Sequence, residues 1–263
     1  MKLYHIHLQE LRDIAVIAAK EAGEYISAQR SVHHNRIEKK GGNTEASQIV
    51  TNIDFRSQEI ILSHVLPTCE PFNLGLLTEE DIQDKVQNEK YKNSRLNKEY
   101  FWCIDPLDGT LPFVEGNPGY AVSIAIVSKS GEAVLGIIYD PVKGVLYEAI
   151  KGLGCLRNGK KWKLKKPKNN GDFLFTSNRS FKQLPSYDTM RKNVVELAIS
   201  LGCKQVVERQ HGGAVMNAIW VLENTPSCYV ALPKKQDGGG SIWDFAATAC
   251  IFDEMGLSPV NCQ

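Results

Sequence analysis

The stretch that decides the fold is Trp102-Cys103-Ile104-Asp105-Pro106-Leu107-Asp108-Gly109-Thr110. Its first residues are aromatic and apolar, which predicts a buried strand. The strand leads into a turn, because Pro106 fixes its own φ angle and Gly109 allows the backbone to change direction sharply. We predict that Thr110 caps a short helix after the turn, since hydroxyl residues are favoured at helix N-caps.

The turn brings oxygen ligands and free N–H groups to one point. The carboxylates of Asp105 and Asp108 and the carbonyl of Leu107 are hard oxygen donors of the kind that Mg²⁺ prefers. The N-terminus of the helix that follows favours anions. The turn is therefore a candidate site for a phosphate group and its metal, although a lone pair of acids in a turn is more often a capped surface loop.

Three further stretches favour the metal site over the surface loop. They are Val50-Thr51-Asn52-Ile53-Asp54, Leu77-Thr78-Glu79-Glu80-Asp81 and Ile242-Trp243-Asp244-Phe245-Ala246-Ala247. Together with the central turn, and in this order, they resemble the motifs of the inositol monophosphatase superfamily. That superfamily includes inositol monophosphatases, bisphosphate nucleotidases and fructose-1,6-bisphosphatases. The resemblance covers nearly the whole chain.

The resemblance implies an α+β fold, a layered α/β sandwich in which helix pairs alternate with two mostly antiparallel or mixed sheets. The residue pattern agrees, because the apolar runs 120–128, 134–139 and 145–149 are separated by turn residues, as in consecutive antiparallel strands. Asn158-Gly159 is typical of a tight hairpin turn. The lysine-rich segment 160–168 predicts a solvated edge strand in preference to a nucleic-acid patch.

The best candidate boundary between two halves is Asn169-Asn170-Gly171. We expect residues 1–170 to form an N-terminal α+β half that holds most metal ligands. Residues 171–263 would form an α/β half that contributes Asp244, and the two halves together would make one compact catalytic unit.

The segment around Asp54 has two interpretations. Residues 49–51 suggest a short extended segment, after which Asn52 or Asp54 would cap a helix. The resemblance implies instead that Asp54 is catalytic and either pairs with Thr110 or reaches a metal-bound water.

The resemblance also implies the roles of the other site residues. The implied metal ligands are Glu79, Asp105, the carbonyl of Leu107, Asp108 and Asp244, which would hold two or three Mg²⁺ ions. Thr110, oriented by Asp54 or Glu79, would position a water that attacks a phosphate monoester. The implied substrate-binding residues are Gly109, Thr110, Asp244 and Gly212. Gly212 precedes an apolar helix, where the residue pattern favours close backbone packing over a ligand contact as the reason for a glycine.

A different phosphatase mechanism is excluded by Pro106. The segment Leu107-Asp108-Gly109-Thr110-Leu111 superficially resembles the nucleophile loop of haloacid-dehalogenase-type phosphatases. That loop needs an acid two positions before Asp108, where this chain has Pro106, so we predict direct attack by water. The remaining alternative without catalysis is a phosphate-binding relic of the fold.

Different motifs favour different substrates. Segments 119–125 and 139–141 resemble inositol monophosphatases, which favours a small inositol monophosphate-type substrate. Segments 100–102 and 229–233 are similar to nucleotidases that act on adenosine 3′,5′-bisphosphate. Lys234 and Lys235 would suit a second phosphate group.

The composition is that of an ordinary globular protein. The 263 residues are 43% hydrophobic and 23% charged, with a net charge of +1 that favours no polyanionic partner. The seven cysteines form no metal or disulfide pattern, which suits a reducing cytoplasm. No apolar run reaches the roughly 18 residues of a membrane span. We expect a cytoplasmic enzyme with a small phosphorylated substrate, without a nucleic-acid or membrane partner, and with a homodimer as its expected assembly.

Overall fold

The computed structural model describes residues 2–40, 43–80, 94–167, 170–231 and 241–257, and for residues 31–40 and 43–51 it describes the backbone alone. The helices are α1 (His5–Lys40), α2 (Asn43–Cys69), α3 (Ser94–Asn97), α4 (Thr110–Val114), α5 (Tyr187–Ser200), α6 (Ala214–Glu223) and α7 (Ile242–Glu254), with a 3₁₀ turn at Arg179–Gln183. The strands are β1 (Leu74–Thr78), β2 (Tyr100–Asp108), β3 (Ala121–Ser128), β4 (Ala133–Asp140), β5 (Val145–Ile150), β6 (Gly154–Arg157), β7 (Lys160–Trp162), β8 (Phe173–Ser177), β9 (Val206–Arg209) and β10 (Ser227–Val230).

Seven strands form the larger sheet, in chain order from β1 to β7. Only β1 and β2 run parallel; each later strand is antiparallel to the one before it. The lysine-rich strand β7 lies at the outer edge, as the sequence predicts. The β2–β3 register shifts between Asp105 and Asp108, so the metal-site turn predicted from the sequence is an irregular end of strand β2.

Helices cover both faces of this sheet. Successive side chains along its strands point to opposite faces and pack in two different cores. Trp102 and Ile104 of β2 pack in a core with residues of α1 and α2. Cys103, between them, faces the opposite way into a core with residues of α6 and α7. The two layers of helices thereby fix the end of β2 between α2 on one side and α6 and α7 on the other.

The second sheet has three described strands in the order β10-β8-β9, and both pairs are parallel. A separate apolar cluster that includes Phe175, Phe181 and Val194 joins this sheet to α5. The expected α+β class with two sheets is confirmed. The boundary predicted near residue 170 falls beside residues 168–169, which lie outside the described part, so the two-half division stays a prediction.

Two predictions about helix ends are wrong. Helix α2 begins at Asn43, so residues 49–51 are helical and neither Asn52 nor Asp54 is an N-cap. Burial of Ile53 and Ile61 on one helix face outweighs the capping preference of the polar residues between them. In the central motif the N-cap of α4 is Gly109, with a φ of 85°, and Thr110 is the first helical residue. None of the described helices combines the length and the apolar composition needed to cross a bilayer.

Helix α7 packs so closely on β4 that only a glycine fits at position 136. A Cβ atom there would lie 2.4 Å from the carbonyl oxygen of Ala247. We predict that Gly136→Ala lowers the free energy of unfolding by about 1–3 kcal/mol, because the helix must move off the sheet. Urea denaturation measures this loss, with Ala249→Ser on the exposed side of α7 as a control that changes it by less than about 0.5 kcal/mol. Equal stability of the two variants would contradict the packing described here.

Candidate metal centre

Two acids lie at the end of strand β2, held there by contacts on either side. Asp105 and Asp108 are almost completely buried, at 1% and 5% exposure. The Leu107 N–H donates to Asp105 Oδ1 at 3.0 Å, and Ser57 Oγ of α2 donates to the Pro106 carbonyl at 2.9 Å. The strand end is therefore fixed, and its two carboxyl groups are presented in the interior.

Helix α7 brings the third acid to the same point. Asp244 lies in its first turn, where its carboxylate accepts a hydrogen bond from the Ser241 N–H. Ser123 Oγ of strand β3 donates to the Trp243 carbonyl at 3.4 Å, which joins the start of the helix to the sheet. One carboxylate oxygen from each of Asp105, Asp108 and Asp244 lies within 4.8 Å of the other two. The sequence-predicted convergence of these three acids is present in the fold.

Glu79 joins the group through Asp105. Its N–H donates to the Ile104 carbonyl at 3.0 Å, which continues the pairing of β1 with β2 beyond Thr78. Its side chain is hydrogen-bonded to the carboxyl group of Asp105. Burial is the main cause that raises the pKa of both groups, and their hydrogen bond raises the pKa of Asp105 further.

Asp54 lies beside this group, but it makes no hydrogen bond with Thr110. It is buried, and its Oδ1 atom has no hydrogen-bond partner among the described residues. Burial, with the nearby charges of Glu80 and Glu79, raises its pKa to about 8. Thr110 Oγ donates instead to the Leu107 carbonyl at 3.4 Å. The orientation of Thr110 by Asp54 or Glu79 therefore stays a prediction.

Burial makes the charged forms of these acids unfavourable. It raises the pKa of Asp108 to about 8 and raises the pKa values of Glu79, Asp105 and Asp244 as well, with the neighbouring carboxylates adding to the effect at Glu79, Asp105 and Asp108. Among the described residues, none of the ion pairs involves any of these acids. Several buried acids without a basic partner are expected where a divalent cation binds.

The donor set fits such a cation. Carboxylates and a backbone carbonyl are oxygen ligands, which suit Mg²⁺, and the cluster has neither a cysteine nor a histidine ligand that would favour zinc. The unpartnered Oδ1 of Asp54 adds a buried acceptor that a metal-bound water would satisfy.

Asp108 makes a second contact that the sequence analysis missed. Its Oδ1 and Oδ2 atoms accept hydrogen bonds from the N–H groups of Ala214 and Val215, both at 3.0 Å. These are the first two residues of α6, whose N-cap Gly213 has no side chain to cap the helix. The sequence signal for this contact is a helix start that lacks a Ser, Thr, Asp or Asn cap. The first N–H groups of such a helix need an acceptor from elsewhere in the chain.

The glycines before α6 make this contact possible by close packing. A Cβ atom on Gly213 would lie 2.3 Å from Asp108 Oδ2, and one on Gly212 would lie 2.7 Å from Asn217 Oδ1. The Gly213 N–H also donates to the Gly119 carbonyl at 2.8 Å. The structure therefore gives Gly212 a packing role, and its contact with substrate stays a prediction.

Comparisons with known proteins agree with this arrangement. The model of the inositol monophosphatase family matches residues 7–262. Over 252 residues the chain is 27% identical to the Nus factor SuhB of Pasteurella multocida, covering 95% of this chain and 84% of that protein. Over 254 residues it is 28% identical to the fructose-1,6-bisphosphatase/inositol-1-monophosphatase of Aquifex aeolicus, covering 95% and 85%. The solved inositol monophosphatase from Anabaena has the same fold, with a TM-score of 0.65 and 24% identity over 95% of this chain and 82% of that one.

The raised pKa values predict how the metal-free protein responds to pH. Asp54 and Asp108 bind protons more tightly in the folded chain than in the unfolded one, where the ordinary value is 3.8. Their contribution to stability is therefore complete below pH 3.8 and is lost as the pH rises through about 8. In chelator, we expect the thermal unfolding midpoint to fall between about pH 5 and about pH 8. Mg²⁺ should raise it more at the higher pH, since cation and protons compete for the same oxygens.

The variant Asp105→Asn separates this cluster from other titrating groups. The amide still accepts the Leu107 N–H bond but cannot ionise at any pH. In chelator near pH 8 it should unfold at a higher temperature than the wild type, and it should respond less to Mg²⁺. A midpoint that responds identically to pH and Mg²⁺ in both proteins would show that this cluster is not a cation site.

Proposed function

The chain belongs to the inositol monophosphatase family, which supports a phosphatase activity, and we propose that it is a Mg²⁺-dependent phosphomonoesterase. The observation that carries the proposal is the convergence of Asp105, Asp108 and Asp244 within 4.8 Å. Two of these acids come from a strand of the large sheet and the third from a helix far along the chain. Acids so close together, two of them buried, are unfavourable in their charged forms unless a cation binds them.

The ligands we propose are Glu79, Asp105, the Leu107 carbonyl, Asp108 and Asp244. When bound, Mg²⁺ would lower the pKa of a coordinated water and neutralise charge on the phosphate and on the leaving oxygen. Protons bound by these acids, whose pKa values are raised, would be released as the carboxylates become ligands. Metal affinity should therefore rise with pH.

Residues around α4 would bind and orient the reacting groups. The N–H groups of Gly109 and Thr110 lie at the start of that helix, where the first N–H groups have no helical acceptor, and they would donate to phosphate oxygens. Thr110 Oγ, now bonded to the Leu107 carbonyl, would hold the attacking water. Asp54 or Glu79 would orient Thr110 and accept the proton that the water loses. With Pro106 two positions before Asp108, no aspartyl-phosphate forms.

For the substrate we propose a small inositol monophosphate-type ester. The Aquifex relative carries both fructose-1,6-bisphosphatase and inositol-1-monophosphatase in its name, which supports a polyol phosphate as the general class. The alternative, adenosine 3′,5′-bisphosphate, rests on the likeness of segments 100–102 and 229–233 to nucleotidases and on Lys234 and Lys235, and these two lysines lie outside the described residues. Arg179, the described arginine in the loop after β8, is already held by Glu115 in a two-bond pair of 2.5 and 2.6 Å.

Other roles suggested by relatives or by the sequence have less support. The name Nus factor SuhB belongs to the relatives that carry it, and no contact among the described residues favours such a role here. The homodimer and the cytoplasmic location stay predictions.

A side-by-side turnover assay tests the substrate. We expect Mg²⁺-dependent phosphate release from inositol 1-phosphate to exceed that from adenosine 3′,5′-bisphosphate, each at matched concentration. Preference for the nucleotide by about a hundredfold, some 3 kcal/mol of transition-state binding, would reverse the assignment. If neither ester releases phosphate, the alternative of a phosphate-binding relic of the fold without catalysis is favoured.

Loss of the acid supplied by α7 tests the metal centre. We predict that Asp244→Asn lowers kcat/KM by about a hundredfold or more, because a neutral amide is a poor replacement for a carboxylate ligand. Asp253→Asn, on the exposed side of the same helix, is the matched control and should keep wild-type activity. Steady-state kinetics across a Mg²⁺ series measure both, and similar losses in the two variants would count against a role for Asp244 in the site.

A further inference from the structure

Helix α6 is fixed to the large sheet at both of its ends. At its N-terminus the N–H groups of Ala214 and Val215 donate to Asp108. At its C-terminus the last residue, Glu223, accepts hydrogen bonds from Tyr147 Oη of β5 at 2.7 Å and from Arg157 Nε of β6 at 3.1 Å. Nothing in the proposed chemistry uses the contacts at the C-terminal end.

The two ends are connected by a rigid, buried element. Helix α6 is about 14 Å long between its first and last residues. Its residues Val215, Ile219 and Trp220 are buried in the core beneath the large sheet. A tilt or shift of the C-terminal end therefore moves the N-terminal end as well, because a packed helix moves as a unit.

The N-terminal end prepares Asp108 for a cation. Two backbone N–H groups orient both carboxylate oxygens, and their donation favours the ionised form of an acid that burial would otherwise keep protonated. Each oxygen keeps a second lone pair, so the helix and a cation can bind the same carboxylate together. Displacing the helix start would remove this orientation.

We propose that Glu223 is a positioning residue for the metal centre: by fixing the C-terminal end of α6 to strands β5 and β6, it holds the first N–H groups of α6 against Asp108. The proposal rests on the proposed function, since it requires that the acid cluster binds Mg²⁺. It predicts that a change about 14 Å from the cluster weakens metal binding without touching a ligand.

The chain contains a matched control in Glu208. Its carboxylate accepts hydrogen bonds from Tyr187 Oη and Arg191 Nε, both at 2.6 Å, so its partners are the same residue types. The side-chain exposures of Glu208 and Glu223 are 20% and 17%. The Glu208 group joins β9 to α5 and makes none of these bonds to the large sheet or to α6. Glu208→Gln therefore removes the charge of a carboxylate with the same types of donor, at a place that has no connection to Asp108.

The test is calorimetric titration of Mg²⁺ into the metal-free full-length chain. Glu223→Gln should bind Mg²⁺ about threefold to thirtyfold more weakly than the wild type, while Glu208→Gln should differ by less than about twofold. Hydrogen exchange in the metal-free proteins gives a second readout. The amides of Ala214 and Val215 should exchange faster in Glu223→Gln and at the wild-type rate in Glu208→Gln.

The outcomes separate the two proposals. A wild-type chain that binds no Mg²⁺ overturns the proposed function. A wild-type chain that binds Mg²⁺, with equal affinity in the two glutamine variants, overturns the role of Glu223. Should Glu223→Gln fail to fold, Tyr147→Phe decides, because it removes one bond to Glu223 and keeps the buried ring. Weaker Mg²⁺ binding and faster exchange at Ala214 in that variant support the proposal, and wild-type values overturn it.

Discussion

The burial of neighbouring carboxyl groups is the constraint on which the rest of this structure depends. Asp105, Asp108 and Asp244 meet at the end of strand β2, and Glu79 and Asp54 lie beside them. Asp54, Asp105 and Asp108 are buried from water, so these acids must either hold protons or share a cation. The raised pKa values, and the hydrogen bond between Glu79 and Asp105, favour the state in which the acids hold protons. A divalent cation is the alternative to these protons, and under the proposed function it would let the same group catalyse phosphate ester hydrolysis.

The supporting structure keeps these acids together against their repulsion. The large sheet fixes Asp105, helix α7 carries Asp244, and α6 directs two N–H groups at Asp108. Asp108 therefore acts twice, as a proposed metal ligand and as the cap of a helix in the C-terminal part of the chain. Binding of a cation and docking of α6 are linked through one carboxylate, and linked equilibria affect each other by the same factor.

Local patterns predicted the strands and the acid-bearing turn, whereas contacts between distant segments were not predictable from residue types. The continuous apolar runs around Ile104 and Ile124 identified the sheet, because strands buried on both faces need apolar residues on both sides. The capping preference wrongly placed Asp54 at the start of a helix. The apolar face of α2 extends the helix N-terminally, so that Asp54 lies within it. The contact of Asp108 with Ala214 could not be predicted, because it depends on how two elements pack and not on either segment alone.

The central claim is that these acids bind divalent cations, and a crystal soaked in Mn²⁺ tests it most directly. Anomalous diffraction would locate each ion independently of any assumed ligand. The account predicts a peak at about 2.2 Å from carboxylate oxygens of Asp105, Asp108 and Asp244 together. The absence of a peak at the end of β2, or a peak there that Asp244 does not reach, would contradict it.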